Sequence, residues 1–169
     1  MNTAPNNGLR PVVSLRDLLQ SDMDALFAFE RDPESCTMAM VKPRSREAFQ
    51  AIWDKYFRDR SSGVSGAVSR AILTDGAMCG SIGLIPRDQV LMVGYSIARP
   101  FWGKGIASRA LELLRVEATR RPLHAYAAAS NVASLRVLEK NGFKVVESKW
   151  SPETERYLAC NEVHLVLER

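Results

Sequence analysis

Cysteine is scarce in this chain of 169 residues, and the three that occur, Cys36, Cys79 and Cys160, stand far apart. Their odd number and the lack of a Cys-x-x-Cys pair set aside a disulfide framework and a zinc ribbon. They favour a cytoplasmic setting. Histidine is scarcer still, with only two. Cys160 and His164 are four apart on an expected strand, roughly 13 Å along it, too far for a thiolate–imidazole pair. His124 has no partner acid beside it in sequence. A cysteine hydrolase is therefore disfavoured, and no metal site is expected. No apolar run approaches membrane-spanning length, so no membrane association is expected. Residues 1–8 lack the charged and apolar regions of a signal peptide and read as a flexible N-terminal tail. The formal net charge of +4 is too small to indicate direct nucleic-acid binding, although it suits a polyanionic ligand.

What is present reads as one domain over residues 9–169. The chain is long enough to bury a core, and 46% of its residues are hydrophobic. Strands are expected over 11–17, 66–74, 78–86, 90–98, 123–129, 143–150 and 155–168. Helices are expected over 21–31 and 45–59, with Ser45 as a cap, then from Ile106 to Ala118 and from Asn131 to Gly142. The two strands at 78–86 and 90–98 are joined by a short Pro-Arg-Asp turn and form an antiparallel hairpin. Arg58–Gly63 reads as a surface turn, and Trp53, Tyr56 and Phe57 as packing on the second helix.

The most informative stretch is Arg99-Pro-Phe-Trp-Gly-Lys-Gly-Ile-Ala-Ser108, where a strand gives way to an amphipathic helix. Unpaired amides at the positive end of a helix dipole receive phosphate, and glycine lets a ligand approach the backbone closely. A Walker loop is excluded, because Gly103-Lys104 is followed by Gly105 and position 98 is not glycine. The dinucleotide fingerprint fails at Ser108 and lacks its ribose acid, although Arg120 and Arg121 keep a 2′-phosphate reading open. An ordinary tight turn at a helix start is the bland alternative.

The later run Asn131-Val-Ala-Ser134, ending in Leu138-Glu-Lys-Asn-Gly-Phe143, completes a pair of motifs. With Trp102-Gly103-Lys104-Gly105-Ile106-Ala107, they make the chain resemble the GNAT superfamily of N-acetyltransferases. The form of both motifs, with Arg31-Asp32-Pro33-Glu34, is similar to the branch that acetylates ribosomal-protein N-termini. Trp102 stands where the family has Gln or Arg.

The resemblance implies an α+β, three-layer fold: a mixed, mostly antiparallel central sheet, helices on both faces, and a splay between the fourth and fifth strands. It implies acetyl-CoA as co-substrate, held by Ile97, Arg99, Trp102, Gly103, Lys104, Gly105, Ile106, Ala107, Ser108 and Asn131. Gly94 suits a bulge in the fourth strand or close packing there. The activity implied is transfer of an acetyl group to a primary amine, on a protein N-terminus or a small molecule, by direct attack in a ternary complex.

Ser134 is the candidate acid toward the leaving thiolate. The tyrosine many members carry four residues later is Leu138 here, and the strand glutamate before Gly94-Tyr95 is replaced by Met92-Val93. Tyr95, Glu30 and Asp32 are candidate acceptor-site residues. Two apolar residues at the usual acid–base positions also suit a catalytically weak CoA-binding regulatory module. A monomer or homodimer fits either reading.

Overall fold

The computed structural model describes residues 11–62 and 66–169. The expected tail over residues 1–8 lies outside them. Strand β1 (Val13–Asp17) leads through a single 3-10 turn at Gln20–Asp22 into helix α1 (Met23–Glu30). The expected helix over 21–31 is therefore shorter and starts later.

A second helix, α2 (Pro33–Ala39), follows where only a loop was expected. Its start is chemically well defined: Asp32 accepts from the Ser35 N–H at 2.9 Å, and Pro33 occupies the first helical position. Seven residues with no apolar period leave no pattern for a sequence reading to catch.

Helix α3 (Arg46–Ser61) begins as expected, with Ser45 Oγ accepting from the Ala48 N–H at 3.1 Å. It runs past Asp59, so Arg58–Ser61 are helical and not a surface turn; Gly63 lies outside the described residues. Arg58 and Arg60 in its last turn complement the negative end of the helix dipole.

Strands β2 (Val68–Thr74), β3 (Ala77–Arg87) and β4 (Val90–Ile97) form an antiparallel meander. The β3–β4 turn is Asp88–Gln89, not the expected Pro-Arg-Asp. Both residues take positive φ (46° and 68°), as a two-residue hairpin of the primed type requires. Pro86 fits inside β3 because β2 pairing ends at Leu84, so nothing on that side needs its missing N–H.

Helix α4 (Ile106–Glu117), strand β5 (Leu123–Ala128), helix α5 (Val132–Lys140) and strands β6 (Lys144–Ser151) and β7 (Cys160–Leu167) complete the chain. The seven strands lie in the order β1-β2-β3-β4-β5-β7-β6, and β4–β5 is the one parallel pair among them.

That parallel pairing is confined to Leu91–Leu123 and Met92–His124. Beyond Met92 the two strands part, and the sheet opens into the expected wedge. Gly94 sits at the start of it, but it is not a bulge: it pairs with Gly83 in unbroken register. A Cβ there would meet only Ile85 Cδ1, at 3.7 Å, an ordinary contact, so close packing does not explain it either. The register shifts fall instead at Ile72/Leu73 and Val145/Glu147.

Two apolar clusters lie on opposite faces of the sheet. On one, Ile106, Ala110, Leu111 and Leu114 of α4, with Leu138 of α5, pack on Leu84, Leu91, Leu123 and Leu165. On the other, Leu18, Met23, Leu26 and Phe49 pack on Ala71, with Trp53 and Phe57 at the margin as the aromatic spacing suggested. The layers are thus helix, sheet, helix. No helix among the described residues is long and apolar enough to cross a membrane.

Candidate active site

Beside the end of β4, where it parts from β5, lies a cavity of about 520 Å³. Its walls are the end of β4, the loop before α4, and one side of α5. Ten of the residues singled out in the sequence come together there: Tyr95, Ile97, Trp102, Gly103, Gly105, Ile106, Ala107, Ser108, Asn131 and Ser134.

The loop owes its shape to two glycines in the left-handed region, Gly103 (φ 73°) and Gly105 (φ 75°). Nothing lies within 4 Å of where a Cβ would project at either position. Among the described residues, the N–H groups of Gly103, Lys104 and Gly105 have no backbone partner. Those of Ile106, Ala107 and Ser108, the first three of α4, have none within the helix. Six consecutive amides without backbone partners, five of them on residues that line the cavity, make a fitting cradle for a diphosphate. The loop is tied down from behind by Trp102, whose indole N–H donates to the Ile97 carbonyl at 2.6 Å. Asn141 braces the helix start, its Nδ2 donating to Ser108 Oγ at 3.1 Å.

Four of the expected residues stand outside this cavity's lining: Lys104, Arg99, Asp32 and Glu30. Lys104 donates to the Pro100 carbonyl at 3.1 Å and lies over the Phe101 ring, so its charge stays on the loop's outer side. Arg99 turns toward α2 and pairs with Asp32 (3.1 Å) and Glu34 (3.2 Å). Asp32, assigned to the acceptor, is thereby spent on capping α2 and holding Arg99. The backbone amide of Ser35, first among its contacts, keeps its carboxyl below the usual range. It lines neither cavity described here.

Two cations that the sequence reading did not assign to the site line the cavity instead: Arg136 and Lys140 of α5. They follow Ala133 by three and seven residues, so all three share one helix face, which was the available signal.

At the inner end of the cavity, the Tyr95 hydroxyl lies 2.8 Å from Ser134 Oγ and 3.2 Å from the Ser134 carbonyl. Burial pushes the Tyr95 phenol up to about 12, an effect that the Ser134 hydrogen bond only partly offsets. Tyr95 is therefore a neutral donor at physiological pH. Asn131 fixes this end of α5, its Oδ1 accepting from the Ser134 N–H at 3.1 Å. Leu138, at the family's tyrosine position, is 1% exposed and belongs to the core.

A second cavity, of about 270 Å³, adjoins the first and shares Ser35, Ala39, Tyr95 and Ser96 with it. It lies between the sheet and helices α1 to α3. Glu30 lines it as expected, but its carboxylate is held by Arg44 at 2.6 Å, with Arg156 at 3.8 Å. The Cys36 thiol also lines it and donates to the Glu30 carbonyl at 3.2 Å; burial pushes this thiol up, away from thiolate character.

The two histidines, unpartnered in sequence, meet across β5 and β7. His124 Nδ1 is 2.9 Å from His164 Nε2, and the His164 ring stacks on Tyr126.

Comparison with known proteins agrees with this geometry. Residues 13–144 match the family model described as an acetyltransferase (GNAT) domain. No curated protein matches the chain. Among solved structures, an N-acetyltransferase from Staphylococcus aureus Mu50 superposes with a TM-score of 0.73 at 21% identity, covering 93% of this chain and 98% of that one. RimL, a ribosomal L7/L12 alpha-N-protein acetyltransferase in complex with coenzyme A, gives 0.72 at 19% identity, with 90% and 92% covered. The microcin C7 self-immunity acetyltransferase MccE, in complex with acetyl-CoA and AMP, gives 0.75 at 14% identity, with 93% and 92% covered. These likenesses bear on the fold, and the family match spans most of the sheet together with both motifs. The chain belongs to the GNAT acetyltransferases.

Proposed function

We propose that the protein transfers the acetyl group of acetyl-CoA to a primary amine. The observation that carries this reading is the six-amide loop at residues 103–108, which opens onto a cavity running along the β4–β5 wedge to the Tyr95–Ser134 pair. The amides, with Arg136 and Lys140, suit a diphosphate. The wedge offers unpaired strand backbone to the arm that follows it, and the acetyl thioester would sit at the junction of the two cavities.

Transfer needs a C–N bond to form and the C–S bond to break, its electron pair leaving on sulfur. The amine loses one proton and the sulfur gains one. In this reading the single Tyr95 proton goes to Ser134 Oγ, the nearer of its two acceptors, and not to the Ser134 carbonyl, so the Ser134 proton is free to face the sulfur. The pair then supplies the acid that the family's tyrosine position, filled by Leu138, does not. Because a thiol of pKa about 8.5 is already a fair leaving group, positioning carries much of the rate. Glu30 is not a base here, since Arg44 holds it; water takes the amine's proton. Cys36 is no nucleophile, being protonated and donating to backbone, which favours direct attack over an acyl-enzyme.

The alternative of a CoA-binding module without chemistry rests on Leu138 and Met92. Incubation with acetyl-CoA and a panel of amines and peptides, reading free thiol, separates the two. Amine-dependent thiol release is expected. Coenzyme A binding with no release across the panel would favour the module.

A further inference from the structure

The second cavity has an unbalanced charge. One carboxylate, Glu30, faces two guanidiniums, and it is spent on the nearer one, Arg44. Arg156 lines the cavity, and one of its Nη1 protons is given to the Lys42 carbonyl. Its Nη2 has only the distant Glu30 oxygen at 3.8 Å, beyond hydrogen-bond reach. The other charges nearby are committed: Asp32 and Glu34 to Arg99, and Lys42 to Glu153. A half-buried guanidinium that lines the cavity is thus left incompletely paired, and no free acid lines the cavity with it.

Two further features define what would enter. Ser35 lines both cavities and so marks their junction, its Oγ turned inward beside the Asp32 carboxyl. The strap that carries Arg156 is tied to the segment that carries Val41, both of which line the cavity: Val41 pairs with Tyr157, the Lys42 N–H donates to the Arg156 carbonyl, and the Leu158 N–H donates to the Met40 carbonyl. A volume of about 270 Å³ suits a small molecule better than an extended peptide.

We infer that the acceptor is a small primary amine that also carries a carboxylate, its carboxylate received by Arg156 and its amine directed to Ser35 at the mouth of the acetyl-donor cavity. This rests on the acetyltransferase reading above and names its substrate class. A guanidinium meets a carboxylate through two parallel donors, so the arrangement also orients the amine. It excludes polyamines and aminoglycosides, whose cations would face Arg156 with no carboxylate to offset it.

The test compares amino acids with their own amides as acceptors at saturating acetyl-CoA, reading thiol release. The unmutated protein is expected to favour the acids by about tenfold or more in kcat/KM, as a lost hydrogen bond to a charged group implies. Arg156→Gln should reduce that preference to within about twofold, chiefly through KM, with KM for acetyl-CoA unchanged, and Arg156→Lys should restore part of it. Equal rates on acid and amide, or a preference for amides or polyamines, overturn the inference without any variant having to fold. So does faster turnover of peptides than of small acids. Should no amine release thiol, titration calorimetry of the CoA-loaded protein decides: Arg156-dependent binding of the acids keeps the subsite and removes the transfer reading, whereas no binding removes both. Turnover without carboxylate preference removes the subsite and keeps the transfer.

Discussion

The two cavities are neighbours with four residues in common, yet they are built in opposite ways. In the proposed function the first cavity takes the donor and the second the acceptor, and the donor's recognition surface is one short run, residues 102–108, whose backbone would do the binding. The acceptor cavity draws its charged groups from segments far apart in the chain: Glu30 on α1, Arg44 before α3, and Arg156 between β6 and β7. A backbone cradle depends on dihedral angles that two glycines determine locally. A charge balance depends on which side chains meet, and that is settled only by the fold.

The sharpest way to break this comparison is at Gly105. Replacing it with aspartate forces a Cβ into a left-handed residue at about 1–2 kcal/mol and sets a carboxylate against phosphate. Affinity for coenzyme A should fall by about a hundredfold or more in a calorimetric titration, while the melting temperature falls only modestly. Unchanged affinity would mean that the loop is not the cradle.

Next in size is the pair where the cavities meet. Ser134→Ala should lower kcat by about a hundredfold, within the range for a lost general acid, with KM for acetyl-CoA within about twofold of the original. Tyr95→Phe should have a similar effect, and the double variant should be little worse than either single one, because the two hydroxyls act as a unit. With the Tyr95 phenol at about 12, kcat should show no loss from its ionisation between pH 7 and 10.

The acceptor wall can be loosened more gently through α1, which carries Glu30. The turn before it is pinned by Arg16, bidentate to the buried Asp22 at 2.7 and 2.8 Å. Arg16→Met leaves that carboxylate with the Leu19 amide alone and should cost about 1–3 kcal/mol in denaturant unfolding. Arg16 holds the Asp22 carboxyl below its ordinary value, so the unfolded state binds the extra proton. The stabilisation is therefore complete above the ordinary carboxylate range and is lost as pH falls through it toward the lower folded value. The variant should show a shallower acid limb.

The smallest effect is expected at the histidine pair, away from both cavities. Burial, and then the neighbouring His124, push His164 below its usual value, so the unfolded chain takes up its proton first as pH falls. Stability should decline from about pH 6.5 downward, and His164→Gln should flatten the melting-temperature slope between pH 5 and 7.

How far the site could be read in advance follows the same division. Gly103, Gly105 and the helix after them declare an anion cradle within a few residues, and all the expected loop residues except Arg99 and Lys104 line the cavity. The Lys104 side chain stands aside because its ammonium donates to the Pro100 carbonyl, while its backbone N–H stays in the run of open amides. Asp32 and Arg99 were read separately as acceptor and cofactor groups, but folding brings them to each other, and α2 with them. Tyr95 was expected in the acceptor groove; it lines that cavity and also turns its hydroxyl to Ser134, a contact across 39 positions.

The sequence alone determined the strand and helix succession, apart from α2, because hydrophobic period and capping are local signals. It determined the cradle for the same reason: φ above zero at glycine is a property of single residues. Tertiary structure alone decided that the splay between β4 and β5 opens at Met92, that Arg156 is left without a full partner, and that the Tyr95 hydroxyl meets Ser134. Each of these is a meeting of groups distant along the chain, and Coulomb and hydrogen-bond forces act over a few ångströms of space whatever the separation in sequence.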